Sequence, residues 1–260
     1  MGIFSSISDI LKIRQRRKIP LPFYVLLCYT LHTGPARPSI EEMRKYMSLC
    51  ITFYNEHGII MSADNMVCST IEKDNSPYTY QGSKTEQKLF LIEDKYGVSY
   101  SGASNIYAAS TSAFLEEYIT SHPIIEVPPS EWLLELAQKC NNLLNPSQNM
   151  VFIMAGYYHS EKFVVTTNTK EPKLNFQTNN SGLLYSGESE FISHLINSDI
   201  IAFEYSKFTL QDGADFLRFL NKTVSGLMHY GQYLPTVSDT CDLLAIRPNE
   251  TRWLEHLTLH

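Results

Sequence analysis

The sequence lacks the features that mark metal-bound, disulfide-bonded and nucleic-acid-binding proteins. Its five cysteines are scattered, with no CxxC pair and no histidine at metal-ligand spacing, so neither a zinc site nor a disulfide framework is indicated. The formal net charge is −6, which argues against a dedicated surface for nucleic acid or anionic membranes. There is no internal repeat and no low-complexity segment. We therefore expect no metal, no cofactor and a reducing compartment.

The chain also lacks an apolar run long enough for a clear membrane span. Residues 1–46 contain a basic run and then an apolar segment, Ile19–Leu31, which two prolines interrupt. This order is that of a signal peptide, but the segment falls short of the roughly 20 residues of a transmembrane helix. We expect residues 1–47 to be an N-terminal extension, either a pro-segment or the product of a start codon assigned too far upstream. The expected location is cytoplasmic; export or membrane association through residues 1–33 is the alternative.

What remains is an ordinary globular composition, with 43% hydrophobic and 18% charged residues, in a chain long enough to bury one sizeable core. Strands are expected at Ser48–Tyr54, Ile59–Asp64, Lys88–Ile92, Val98–Ser101, Met150–Tyr157, Lys162–Thr167, Leu183–Ser186 and Cys241–Ile246. Helices are expected at Asn105–Thr120, Pro128–Leu144, from near Glu188, and at Thr209–Tyr230. Strands in hairpins followed by helices predict an α+β fold with two stacked antiparallel sheets. We also expect a long loop at Asn65–Gln87 and a peripheral C-terminal tail at 248–260.

Four residue types occur in an order that suits acyl transfer. Ser48 begins the first predicted strand, Asp64 ends the second, Lys88 heads an apolar run, and Gly102 lies in a small-residue turn. A serine hydroxyl is a weak nucleophile until a base removes its proton. If Ser48 is the first residue of the mature chain, its own α-amine, with an unperturbed pKa of about 8, supplies that base.

The other members of the predicted site have separate tasks. Lys88 would favour the developing alkoxide, Asp64 would hold Lys88 in its charged form, and the Gly102 N–H would face the oxyanion. Cys50 lies on the same strand face as Ser48 and is interpreted as a small core residue. Each residue taken alone also fits an ordinary role, such as a strand-edge serine or a turn-initiating aspartate. None of the eight histidines lies in a triad-like context.

Taken together, these residues resemble those of a known family. From Ser48 to about Ile246 the chain resembles the proteasome β-subunit type of N-terminal nucleophile hydrolase, nearest the bacterial branch of HslV and the ancestral β-subunit (Anbu). The opening Met47-Ser48-Leu49-Cys50 is similar to that of Anbu-type proteins, and Ser48 falls where the family has its N-terminal threonine. Weaker similarities lie at Ala155–Tyr157, Ser186–Ser189 and Cys241–Leu244.

The resemblance implies a four-layer αββα sandwich over residues 48–247. It also implies a peptide or amide substrate and self-association into a ring or a helical array. It places the family's supporting serine on Ser186 or Glu188, and Asp239 is the candidate for the second supporting aspartate. An ATPase partner is neither indicated nor excluded.

The chain departs from the family around the nucleophile. The family usually has Ser-Arg after its aspartate, whereas this chain has Asn65-Met66. Family pro-segments commonly end in glycine, whereas Tyr46-Met47 precedes Ser48. We therefore expect translation to start at Met47, with methionine aminopeptidase exposing Ser48.

Two functions follow from the sequence. The first is an amide-bond hydrolase with Ser48 as nucleophile and its α-amine as general base. The alternative is a catalytically inactive subunit of the same fold that serves as an assembly or binding scaffold, with the segment before Ser48 retained. A free amine on Ser48 distinguishes the two.

Overall fold

The computed structural model describes residues 48–73, 76–107, 109–124, 127–197, 202–231 and 234–257; the predicted extension 1–47 lies outside these ranges. The strands in these ranges are β1 Leu49–Asn55, β2 Gly58–Asp64, β3 Val67–Lys73, β4 Ser76–Ser83, β5 Leu89–Ile92, β6 Tyr96–Gly102, β7 Asn105–Ile106, β8 Ala109–Ser110, β9 Met150–Tyr158, β10 Glu161–Asn168, β11 Asn175–Phe176, β12 Gly182–Gly187, β13 Cys241–Arg247 and β14 Glu250–Glu255. The α-helices there are α1 Thr111–Ser121, α2 Pro129–Leu143, α3 Ser189–Ile196 and α4 Leu210–Tyr230.

Most of the strands described form two five-stranded sheets. The first sheet has the order β12-β1-β2-β13-β14 and the second the order β11-β10-β9-β6-β5. Neighbouring strands are antiparallel in both sheets. The α+β class with antiparallel sheets, predicted from the order of elements, is confirmed.

The β1–β2 hairpin is the centre of the first sheet and carries the predicted site at its open end. Its turn is tightened by Asn55, whose side-chain oxygen accepts a hydrogen bond of 2.9 Å from the His57 N–H, and by Gly58 at φ +142°. Asn55 pairs with Gly58 and Cys50 with Ala63. This register places the start of β1 and the end of β2 side by side, so Ser48 and Asp64 lie at the same end of the sheet.

Alternation along the strands divides the apolar side chains between two faces. In the first sheet Leu49, Ile51 and Phe53 pack with residues of α4, whereas Cys50 and Tyr54 pack with residues of the second sheet. The second sheet packs its remaining apolar face against α1 and α2, with Trp132 only 1% exposed. Burial on both faces explains why β1 and β2 are buried along their whole length.

The first helix begins later than the sequence predicts. Asn105–Ile106 and Ala109–Ser110 pair as short antiparallel strands, and the Ser110 side chain, not Asn105, caps α1 by accepting a bond from the Ala113 N–H at 3.2 Å. The predicted start at Asn105 is wrong because the residues before Thr111 that match the helical spacing pair with each other as β7 and β8.

The two later long helices begin and end close to their predicted bounds. Thr209 and Asp212 form a reciprocal capping box at the start of α4. Two apolar side chains of these helices face solvent: Leu143 of α2 is 38% exposed and Phe219 of α4 is 53% exposed. None of the helices in the described ranges has both the length and the hydrophobicity needed to cross a bilayer.

Strands occur in two segments for which the sequence predicted a loop and a peripheral tail. Much of the predicted loop Asn65–Gln87 is the β3–β4 hairpin. Glu250–Glu255, assigned from sequence to a peripheral tail, pairs with β13 as the edge strand of the first sheet. The first sheet therefore continues past residue 247.

Candidate active site

A buried ion pair joins the predicted aspartate and lysine. Asp64 is the last residue of β2 and Lys88 immediately precedes β5, so each comes from a different sheet. The Lys88 Nζ lies 2.9 Å from the Asp64 Oδ1, and the two side chains are 2% and 0% exposed. Charges this deeply buried persist only when they are paired and hydrogen-bonded. The pair therefore links the two sheets at this end.

Backbone groups complete the bonding of the Asp64 carboxylate. Its Oδ1 also accepts the N–H of Leu49 at 2.8 Å. Its Oδ2 accepts the N–H groups of Met66 at 2.9 Å and Ser238 at 3.3 Å. Lys88 donates in addition to the carbonyl of Met66. Because Leu49 follows Ser48, the carboxylate is tied directly to the residue next to the candidate nucleophile.

Ser48 precedes β1 and is 4% exposed. Its carbonyl accepts the N–H of Glu188 at 2.8 Å. Gly187 pairs with Leu49 and has φ +93°, and a Cβ at this position would lie 1.8 Å from the Ser48 carbonyl oxygen. Only glycine allows β12 to approach the Ser48 backbone this closely. The sequence analysis did not assign this role to Gly187. The feature that could have indicated it is the Ser-Gly-Glu stretch at the end of a predicted strand.

A small cavity opens beside these groups. Its volume is about 220 Å³, counted with the open space at its mouth, and its lining includes both the candidate nucleophile and the candidate oxyanion glycine. The lining residues are Ser48, Val67, Cys68, Lys88, Tyr100, Gly102 and Ser104. Three of the four predicted catalytic residues therefore line one cavity. The fourth, Asp64, does not line it but bonds to Lys88, which does.

Gly102 ends β6 at φ +116°, and a Cβ there would lie 2.2 Å from the carbonyl oxygen of Asn149. The glycine is thus a steric requirement of this turn. The following helix α1 contacts the same turn although it starts later than predicted: Thr111 donates through its hydroxyl to the Ala103 carbonyl at 2.8 Å and through its N–H to the Ser104 carbonyl at 2.9 Å. The positive end of the helix dipole therefore lies at the turn.

The structure separates the three supporting candidates. Ser186 is 7% exposed, and its hydroxyl accepts a bond from the Ser101 hydroxyl at 3.0 Å. The Glu188 carboxyl accepts a bond from the Thr236 hydroxyl at 2.6 Å, and burial raises its pKa to about 7. Asp239 is exposed, and the bond from this segment to Asp64 comes from the adjacent Ser238. Ser186 thus lies near the end of the strand beside Ser48 and Glu188 directly after that strand, whereas Asp239 makes no hydrogen bond or ion pair with the site residues among the described ranges.

Two cysteines near the site are held as thiols. The Cys50 Sγ donates to the Tyr100 carbonyl at 3.0 Å, and burial raises its pKa to about 12. Cys68 lines the cavity, but burial raises its pKa to about 11. Since the thiolate is the reactive form of cysteine, neither competes with Ser48 as a nucleophile. Within the described ranges no group of three or more histidine, cysteine and acidic side chains is placed to hold a metal ion.

No family profile matches the sequence, and no curated protein matches it. Solved structures do match. Anbu from Hyphomicrobium sp. strain MC1 is 15% identical with a TM-score of 0.51, over 79% of this chain and 87% of that chain. An Anbu (Gly-1) mutant from the same organism is 14% identical with a TM-score of 0.50, over 78% and 82%. Anbu (ancestral beta-subunit) from Yersinia bercovieri is 12% identical with a TM-score of 0.53, over 79% and 87%.

These structures define the fold of the chain. It is the proteasome-like fold of Anbu, and the resemblance predicted from the sequence is confirmed at that level. Identities of this size carry the fold and no residue roles. The roles at the site rest on the contacts described above.

Proposed function

We propose that the protein is a proteasome-like amide-bond hydrolase, acting on a peptide or another amide, with Ser48 as an N-terminal nucleophile. The observation that carries the proposal is the buried Lys88–Asp64 pair, with 2.9 Å between Nζ and Oδ1, behind a cavity that Ser48, Lys88 and Gly102 line. Keeping a charged pair buried is costly unless its geometry is well satisfied. A charged group at the wall of a cavity that also contains a hydroxyl is what activation of that hydroxyl requires.

In the proposed reaction the α-amine of Ser48 accepts the proton of its own hydroxyl as the oxygen attacks the substrate carbonyl. The Lys88 ammonium lowers the energy of the developing alkoxide, and Asp64 keeps that ammonium oriented. The N–H of Gly102 and the positive end of α1 stabilise the tetrahedral oxyanion. The protonated amine then gives its proton to the leaving nitrogen, and water hydrolyses the ester by the same steps in reverse.

The supporting groups orient the amine. Ser186 and Glu188 lie at the end of β12 that pairs with the start of β1, and the N–H of Glu188 already binds the Ser48 carbonyl. A glutamate pKa near 7 allows this carboxyl to exchange protons with an amine at neutral pH. We assign no role to Asp239.

The proposal extends to architecture and assembly. Three apolar clusters, one between the sheets and one on the outer face of each, support a four-layer αββα order. Residues 48–247 with the β14 edge strand would form the hydrolase domain and residues 1–47 an extension. We further propose a homo-oligomer, a ring or a helical array, in the cytoplasm.

The alternative function is a scaffold subunit of the same fold. It is supported by the burial of Ser48, which is 4% exposed. If the chain continued upstream of a residue this buried, the preceding residues would crowd the cavity and leave no room for a substrate. In that case the Ser48 nitrogen would be part of a peptide bond and could not act as the general base. The two functions differ in one chemical group, the free amine.

Two irreversible probes test the proposal on protein purified from its native host. A peptide β-lactone acylates a nucleophilic hydroxyl, whereas a peptide epoxyketone needs the hydroxyl and an adjacent free amine to form its ring. The proposal expects both to modify Ser48, and Ser48→Ala to remain unmodified. Ser62→Ala is the matched control, since Ser62 lies in the same hairpin and donates to the Ile51 carbonyl away from the cavity. Absence of modification by both probes would favour the scaffold.

A further inference from the structure

Asn65, the residue after Asp64, connects the two halves of the buried ion pair. It is 1% exposed. Its carbonyl accepts the N–H of Glu86 at 3.0 Å, and Glu86 lies two residues before Lys88. Its own N–H donates to the Ser238 hydroxyl at 3.1 Å. The Asn65 backbone therefore links the strand of Asp64 to the segment that carries Lys88 and to the serine that binds the Asp64 carboxylate.

The side chain of Asn65 is held by two acceptors. Its Nδ2 donates to the Asp242 Oδ2 at 3.1 Å and to the Glu86 carbonyl at 3.4 Å. Both partners are acceptors, so the amide group has one orientation that satisfies them. Any displacement of Asp242 therefore moves the amide and the Glu86 carbonyl bound to it.

Asp242 is a carboxylate in β13 that is 1% exposed, and burial raises its pKa. Its Oδ1 accepts the N–H of Leu257 at 2.8 Å and the Nδ1 of His256 at 3.2 Å. In the described part of the chain the basic side chain in contact with Asp242 is His256, and not a lysine or arginine. A buried carboxylate needs such donors. Its donors are Asn65 on the site side and the residues just after β14 on the other.

We propose that Asn65 is a positioning residue that holds Asp64 and Lys88 together, and that the C-terminal segment after β14 controls it through His256, Leu257 and the buried Asp242. The inference rests on the proposed function of the Ser48 site for its effect on reaction rate. It adds a group of residues that neither touch substrate nor line the cavity. His256 is held in place by stacking on Trp253, with ring centroids 4.1 Å apart.

The first test measures the rate of β-lactone acylation of Ser48 in the full-length protein. His256→Leu removes the donor and is expected to lower the saturating rate constant about fivefold or more. The concentration for half-maximal rate should not change, because the network lies outside the cavity. His256→Asn places an amide donor close to the position of Nδ1 and should restore the rate to within about twofold of wild type. Arg252→Gln, an exposed change in β14, should leave both constants unchanged.

A double-mutant cycle tests whether His256 acts through Asn65. If it does, Asn65→Ala combined with His256→Leu should slow acylation about as much as Asn65→Ala alone. Rate effects that multiply would show two independent structural losses. That result would overturn the proposal.

The second test needs no hydrolase activity. Hydrogen exchange followed by mass spectrometry reports on the three N–H groups, of Leu49, Met66 and Ser238, that bind the Asp64 carboxylate. His256→Leu should speed their exchange about fivefold or more and leave α2 unchanged; unchanged exchange at all three would contradict the proposal. If wild-type protein is not acylated at all, the proposed function fails, and the exchange result alone decides whether the network positions Asp64.

Discussion

Two lysines at opposite ends of the β1–β2 hairpin show what distinguishes a candidate site from a structural clamp. At the open end, Lys88 binds a buried carboxylate, Asp64, at 2.9 Å. At the turn end, Lys162 donates to the backbone carbonyls of Asn55 at 2.6 Å and Asn180 at 2.9 Å, with its Nζ 5.8 Å from the centre of the Tyr54 ring.

The ammonium groups of Lys162 and Lys88 have different surroundings. Burial lowers the pKa of Lys162, with the charge of Glu56 acting in the opposite direction, and its hydrogen bonds go to neutral carbonyls. Lys88 bonds directly to a buried carboxylate and lines a cavity together with Ser48 and Gly102. Burial of a lysine is therefore not itself a sign of catalysis, whereas a directly bonded buried carboxylate together with a neighbouring cavity is.

The largest effect is expected at the open end. Lys88→Met keeps the length of the side chain but leaves Asp64 buried without its cation, which should cost about 3–5 kcal/mol of the free energy of unfolding. Probe modification of Ser48 should slow by about 100-fold or more because the alkoxide loses its stabilising charge. Urea unfolding and adduct formation measured by intact mass check both parts. Modification at a near wild-type rate would remove Lys88 from the site.

Glycines at the two ends of β12 extend the comparison. Gly187→Ala puts a methyl group 1.8 Å from the Ser48 carbonyl oxygen at a residue with φ +93°, and about 2–4 kcal/mol of stability should be lost together with probe modification. Gly182→Ala meets only the Tyr54 side chain, with its hydroxyl at 2.6 Å and its Cζ at 3.0 Å, at a residue outside the left-handed region, and should cost about 1 kcal/mol. Thermal unfolding of the two variants measures the difference. Equal losses would show that the approach of β12 to Ser48 is not special.

The carboxyl of Glu188 should make stability depend on pH. Burial raises its pKa from 4.5 to about 7, so the folded state favours the protonated form. That contribution is fully present below pH 4.5 and is lost as pH rises through 7. Wild-type protein should therefore lose about 1–3 kcal/mol relative to Glu188→Gln between pH 5 and 8.5. Urea unfolding at the two pH values measures it, and parallel behaviour of the two proteins would refute the shift.

The smallest effect is expected at the turn end. Lys162→Met removes two hydrogen bonds from a half-buried ammonium and should cost about 1–2 kcal/mol. The rate of Ser48 modification should stay at the wild-type value, since the site lies at the other end of the hairpin. A slowed reaction with an intact fold would mean that the two ends are coupled.

The candidate site residues that could be predicted from the sequence are those whose neighbours follow from the order of the strands. Two short predicted strands, Ser48–Tyr54 and Ile59–Asp64, on either side of a tight turn predict a hairpin, and a hairpin necessarily brings its two open ends together. Lys88 and Gly102 were found because each stands at the end of a strand whose neighbours are recognisably apolar. These inferences need only local pattern and topology.

Contacts between residues far apart in sequence could not be predicted in this way. Asn65 and Asp242 are separated by 177 positions, and nothing local to either predicts the other. The β3–β4 hairpin was missed because Pro77 within it argues against a strand. At α1 the helical spacing was present from Ile106, but the capping serine at position 110 decides where the helix begins.

The most direct test of the central claim is the intact mass of protein from its native host after incomplete reaction with the epoxyketone. The account predicts that every modified chain begins at Ser48 and that chains carrying any upstream residue remain unmodified. Adducts on chains that retain residues before Ser48, or processed chains beginning at Ser48 that do not react at all, would contradict it.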